Sequence, residues 1–270
     1  MPPESRISDG ILSYGVLAHA LPTEETGEPE ETGENLFAEL SASAVLEDAG
    51  KGRRGAVLTR VDATGGVPLV RTTTRYSAPA QRFRPVHERL AQQIQDHSDL
   101  PAEFNNALFE SYTNAYRTMG AHSDQALDLA DDSHIAVFSC YRNPEAGPPR
   151  KLIFTPKDGD GEKFEIPLTH NSVVTFSVAS NRRLKHRIVL DSPGEAEENE
   201  WLGLTFRTSK TSVHFRDGHA YLPQGARLAL ADDEQRDEFY RLRRRENQEA
   251  NFTYPPLAYT ISESDLMPPI

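Results

Sequence analysis

The chain is 270 residues long, enough for one large domain or two small ones with a full hydrophobic core, and its 41 acidic and 29 basic side chains give a formal charge of −12. Ten of the acidic residues lie between Ile7 and Gly50, where Lys and Arg are absent, so the remaining 31 acidic and 29 basic residues leave the rest nearly neutral and charge excludes no nucleic-acid partner. The single cysteine, Cys140, excludes an internal disulfide and lies in an apolar run where packing is its expected role. With no signal-peptide core and no span of about 18 apolar residues, an intracellular, soluble protein with no membrane partner is expected.

In chain order, residues 1–54 read as an acidic extension. An apolar patch at Ile11–Leu21 precedes the run Thr23–Glu34, too rich in Glu, Gly and Pro to offset its ordering entropy, so a mobile linker is expected there. Leu36–Leu46 has near-helical spacing. From Gly55 the pattern turns to alternation: Ala56–Val61 and Leu69–Tyr76 are expected strands, joined at Gly65-Gly66. Pro85–His97, with Val86, Leu90 and Ile94 four apart, reads as an amphipathic helix. Phe104–Asp124 reads as a strand, a loop and the start of a second strand.

Ile135–Tyr141 is continuously apolar, as in a strand covered on both faces. Lys151–Phe154, Phe164–Leu168, Ser172–Ser177, His186–Leu190 and Trp201–Phe206 follow at short intervals, with Gly, Pro, Asn and Asp between them. Such spacing points to a β-sandwich or jelly roll over about residues 55–222. Residues 223–270 form a charged helix, Asp232–Asn247, and a proline-rich tail. Its Arg241–Arg245 run invites a nucleic-acid reading, but acidic residues alternate with the arginines as on a solvated surface helix.

One short stretch carries chemistry. In Met119-Gly120-Ala121-His122-Ser123-Asp124, an imidazole and a carboxylate stand two residues apart, so an extended backbone presents both on one face. A second imidazole would complete the two-histidine, one-carboxylate set that leaves three faces of a ferrous ion open. His186, opening an apolar run, is the preferred candidate, and His170 is the other. The plain alternative is a solvated loop histidine beside a turn aspartate.

The run from Phe104-Asn105 through Glu110-Ser111-Tyr112 to His122-Ser123-Asp124 is similar, without a gap, to the AlkB family of iron(II) and 2-oxoglutarate dioxygenases. That family reads Phe-Asn, then Asn-x-Tyr, then a glycine before His-x-Asp. Ile135–Tyr141 resembles its next strand, and Leu204-Thr205-Phe206-Arg207 resembles its Leu-Thr-Phe-Arg. The resemblance spans about residues 68–210. It implies a mainly β fold with flanking helices around a double-stranded β-helix (jelly-roll) core. Fe(II) would be held by His122, Asp124 and His186, and 2-oxoglutarate by Tyr112 and Arg207, with O2 as oxidant. Arg71, Arg75, Tyr76 and Arg150 would lie near the substrate mouth, Trp201 would wall the pocket with an aromatic face, and Arg82, Arg84 and Arg89 would add positive charge nearby.

Three departures accompany the likeness. Glu110 stands where the family has an amide, Trp201 and Gly203 replace an arginine and an asparagine, and Ala126 takes the place of an acidic residue that shapes the base pocket in nucleic-acid repair members. The activity implied is hydroxylation of an unactivated C–H bond, or oxidative removal of an N-methyl group, with succinate and CO2 as co-products. The departures turn the expected substrate toward a small molecule or nucleotide. Demethylation of alkylated nucleic acid and a catalytically degenerate binding module are the alternatives.

Overall fold

The computed structural model describes residues 15–21, 36–101, 103–159, 161–191 and 199–270; the acidic run 23–34 lies outside them. The strands are β1 (Val16–Ala20), β2 (Glu47–Gly50), β3 (Arg53–Thr59), β4 (Val67–Leu69), β5 (Gln81–Arg82), β6 (Asn106–Thr113), β7 (His134–Tyr141), β8 (Arg150–Pro156), β9 (Phe164–Leu168), β10 (Ser172–Ser177), β11 (Leu184–Val189), β12 (Glu200–Arg207), β13 (Thr211–Arg216), β14 (His219–Tyr221), β15 (Ala229–Leu230) and β16 (Tyr259–Thr260). The helices are α1 (Leu36–Ser43), α2 (Pro85–Ser98), α3 (Val178–Arg183) and α4 (Asp233–Glu246).

Two sheets face each other. The larger runs β1-β10-β7-β12-β6-β3-β2, with β5 added in parallel to β3, and the smaller is β11-β8-β9. Their inner faces meet in a core of Tyr112, Val137, Val174, Phe176 and Trp201 from the large sheet against Leu152, Phe154, Ile166, Leu168 and Ile188 from the small one. This is the expected jelly roll, mainly β with flanking helices.

The outer face of the large sheet is just as apolar. Ala136, Phe138 and Cys140 of β7 and Leu202, Leu204 and Phe206 of β12 pack with Phe37 and Leu40 of α1 and Val86, Leu90 and Ile94 of α2. Alternate residues of β7 thus enter different cores, which is why Ile135–Tyr141 shows no polar alternation. Cys140 belongs to the outer core, where burial pushes its thiol far above the ordinary range.

The ladder expected over Leu69–Tyr76 ends at Leu69. Beyond it the chain follows a buried ion pair: the Arg71 backbone N–H and Nε donate to Asp128 Oδ2 at 2.9 and 3.0 Å, and its Nη2 donates to Oδ1 at 2.8 Å. Its Nη1 holds the carbonyls of Leu257 and Tyr259, both at 2.9 Å. One guanidinium therefore ties the C-terminal strap to the barrel, and the strap lies on the domain.

Helix α4 is more buried than a solvated surface helix. A reciprocal capping box between Asp232 and Gln235 starts it, and Phe239, Leu242, Arg243 and Glu246 turn inward. The arginine run is divided by the helical period: Arg243 points inward to Glu246, whereas Arg245 pairs outward with Glu249.

Beside the Arg71–Asp128 pair, burial pushes the Asp265 carboxyl up to about 7; Thr260 and Arg71 oppose the shift and Asp128 adds to it. A carboxyl raised on folding binds its proton more tightly in the native state, so its stabilisation is full at low pH and is lost as pH rises toward 7. Asp265→Asn should therefore raise the melting temperature by at least about 2 °C at pH 8 and by less at pH 5. Differential scanning calorimetry at both pH values checks this.

Candidate active site

The His-x-Asp segment is held on a loop, not within a strand. An isolated bridge fastens it to β11: the His122 N–H donates to the His186 carbonyl at 2.9 Å and the His186 N–H returns to the His122 carbonyl at 2.6 Å. This exchange sets the two imidazoles side by side, ring centroids 4.7 Å apart. His122 Nε2 and His186 Nε2 stand 3.9 and 3.4 Å from Asp124 Oδ1, and one donor atom from each of the three residues lies within 4.8 Å of the others. His170 is elsewhere, its Nδ1 accepting the Tyr141 N–H at 3.1 Å.

The donor set fits Fe(II). His122 Nδ1 lies 2.8 Å from the Gly120 carbonyl, and donation to that oxygen leaves the Nε2 lone pair free for a metal. Burial, His186 and Arg243 together push His122 down to about 3, with Asp124 opposing, so the ring is neutral at physiological pH. Burial alone would raise the Asp124 carboxyl, but Arg207 and the two histidines hold it well below the usual range and keep it an anion.

Asp124 is fixed from several sides. Arg207 Nε donates to its Oδ2 at 2.7 Å. Asn181 of α3 grips its backbone twice: Oδ1 accepts the Asp124 N–H at 2.7 Å and Nδ2 donates to its carbonyl at 2.8 Å. Helix α4 holds the flanking loop. Arg243 donates to the Ser123 carbonyl, Asn247 Oδ1 accepts the Ser123 N–H at 3.0 Å, and Glu246 accepts the Ala126 N–H at 2.8 Å.

The triad opens into a cavity of about 360 Å³ whose lining includes Arg53, Thr72–Thr74, Glu110, Gln125, Arg207 and Asn247. Of the residues expected to hold 2-oxoglutarate, Arg207 is in this wall. The Tyr112 ring packs between Tyr116 and Trp201, and its hydroxyl donates to Glu110 at 2.8 Å. The five residues expected near the substrate line no part of the cavity. Arg71 is spent on Asp128 and the strap, and Arg75 is exposed beside Leu230 and Arg236 in a separate groove. Tyr76 is buried, with its hydroxyl against Gly55. Arg150 donates to the carbonyls of Thr113 and Tyr116 and lies over the rings of Tyr112 and Trp201, bracing the end of β6. The Trp201 indole covers Gly203, where a β-carbon would collide with it.

Arg53, Asn181 and Asn247 escaped the sequence reading. Arg53 lies in Gly52-Arg53-Arg54-Gly55, which looks like a turn. Asn181 follows Ser177, whose Oγ caps α3 by accepting the Ser180 N–H; a Ser-Val-Ala-Ser start was the available signal.

A model of the 2OG-Fe(II) oxygenase superfamily matches residues 56–207. The chain belongs to that superfamily, an oxidoreductase class that uses Fe(II), 2-oxoglutarate and O2. Among solved structures it is similar to a Pseudomonas putida prolyl-4-hydroxylase, at 16% identity over 74% of this chain and 96% of that one, with a TM-score of 0.42. It is also similar to OsALKBH1, at 15% identity over 62% of this chain and 85% of that one, with a TM-score of 0.42. A search of curated proteins gave no match.

The double grip of Asn181 orients a ligand carboxylate from behind. Asn181→Ala should weaken Fe(II) binding about ten- to hundredfold, measured anaerobically by competition with a fluorescent chelator.

Proposed function

We propose that this protein is an Fe(II)/2-oxoglutarate dioxygenase that hydroxylates an unactivated C–H bond, or removes an N-methyl group by that route, on a small-molecule or nucleotide-like substrate. The observation carrying the reading is the convergence of His122 Nε2, His186 Nε2 and Asp124 Oδ1 at one cavity. Iron loaded with the keto acid supplies the oxidation, in which substrate, O2 and 2-oxoglutarate give hydroxylated substrate, succinate and CO2. When the hydroxylated carbon is an N-methyl, formaldehyde leaves and the amine is freed.

The chain's own residues select and orient. His122, His186 and Asp124 would hold Fe(II), and the bound ion would supply the oxidising chemistry beside the cavity they line. Arg207, whose Nε donates to Asp124 Oδ2, keeps a cation beside the candidate ligand carboxylate and would favour anionic oxygen there. About 360 Å³ must hold both the keto acid and the reacting part of the substrate, which suits a small molecule or one inserted group. The wall offers polar contacts: Thr72–Thr74, Asn247 and Gln125, whose buried carboxamide has no hydrogen-bond partner among the described residues. Such donors and acceptors suit a substrate edge resembling an amide or nucleobase.

Anaerobic addition of Fe(II) and 2-oxoglutarate should produce the weak visible charge-transfer band of keto-acid chelation, requiring both additions and vanishing in His122→Ala. In air, the wild type should convert 2-oxoglutarate to succinate while Asp124→Ala falls to background. A wild type with neither band nor succinate would sink the reading.

A further inference from the structure

The far carboxylate of a bound keto acid needs a buried cation at some distance from the metal. Arg207 stands beside the candidate metal ligands instead, its Nε on Asp124 Oδ2 at 2.7 Å. Arg243 is tied to Glu246 and the Ser123 carbonyl. On β12, the position where the resembling family carries its other arginine holds Trp201, whose indole also fills the space over Gly203.

The sheet register shows where a cation has gone. Trp201 of β12 lies opposite Tyr112 of β6, and Tyr112 lies opposite Arg53 of β3. Directly opposed residues project to the same face, so these three side chains form one row across the barrel interior. Arg53 is at its far end, its side chain only 17% exposed, and it lines the metal cavity. Its Nε and Nη2 lie 2.8 and 2.7 Å from Glu110 Oε1, and Nη2 donates to Thr74 Oγ1 at 3.1 Å. Glu110 Oε2 accepts from the Tyr112 hydroxyl at 2.8 Å. A carboxylate thus sits inside the cavity with a guanidinium on one oxygen and a phenol on the other, the pair of fixed donors an organic acid would require.

We propose that Arg53, together with the Tyr112 hydroxyl, is the clamp for the far carboxylate of 2-oxoglutarate, and that Glu110 occupies this clamp until the co-substrate takes it. This rests on the dioxygenase reading above. Glu110 is an internal competitor: the clamp is available only in the fraction of molecules in which it has swung away, and the apparent affinity falls by that fraction. The sequence departures then form one set, since the cation moves from β12 to β3, Trp201 covers the vacated space, and Glu110 neutralises the relocated charge while the cavity waits.

Trp201 is the sole tryptophan and lies in the same row, so its emission reports on the clamp directly. Fe(II)-loaded protein would be titrated anaerobically with 2-oxoglutarate and, separately, with pyruvate, a keto acid lacking the far carboxylate, following both emission and the visible band. Glu110→Gln should tighten 2-oxoglutarate about tenfold. Arg53→Ala combined with Glu110→Gln, which leaves no unpaired buried charge, should weaken it at least about tenfold relative to Glu110→Gln alone. Pyruvate affinity should change less than about twofold in either variant. Equal 2-oxoglutarate affinity in the single and double variants would overturn the assignment of Arg53, and no tightening in Glu110→Gln would overturn the competitor role. A wild type in which neither keto acid gives the band would instead remove the dioxygenase reading, and this assignment with it.

Discussion

The site depends on one buried anion. Asp124 carries a charge in an apolar barrel, a position tolerable only because every part of it is engaged: one oxygen faces two imidazoles, the other takes a guanidinium, and its peptide groups are held by an asparagine. The partners come from β11, β12 and α3, while α4 holds the residues on either side. The loop that carries His122 and Asp124 therefore needs no strand ladder of its own, since side chains from four elements replace one.

This arrangement explains the division of labour between the sheets. The large sheet is buried on both faces, by the helices outside and the barrel core inside, and it forms a stiff wall on which Tyr112, Trp201 and Arg207 keep their spacing. The smaller sheet contributes His186, and Phe154 of that sheet and Phe176 of the large one flank its imidazole, ring centroids 5.8 and 5.5 Å away. Apolar rings from both sheets therefore surround a candidate metal ligand held on a rigid support.

Much of the fold was legible because strand chemistry is local. Phe164–Leu168 and Ser172–Ser177 coincide with β9 and β10, since apolar residues bounded by turn formers leave few alternatives. The triad was legible for a related reason: a His-x-Asp pair is a contiguous signal, and the apolar run after His186 identified its strand. What escaped depends on register and on long-range pairing. Arg53 reaches the cavity through two successive strand pairings, and no periodicity within β3 announces that. The same holds for Arg71, read as an alternating strand residue, whose partner Asp128 and strap carbonyls are remote in sequence. Helix α4 was misjudged because charge density hides a face when the buried members are themselves an arginine and a glutamate bound to each other.

The reliance of the metal loop on α4 has a consequence for how the protein matures. Ser123 and Ala126 have backbone groups bonded to Arg243, Glu246 and Asn247, more than a hundred positions later in translation. While the ribosome still shields that helix, the jelly roll can collapse, yet the loop bearing His122 and Asp124 stands without its outer braces. The His122–Asp124 loop is thus completed by a helix made late in synthesis, so the full support of the candidate ligands belongs to the finished chain.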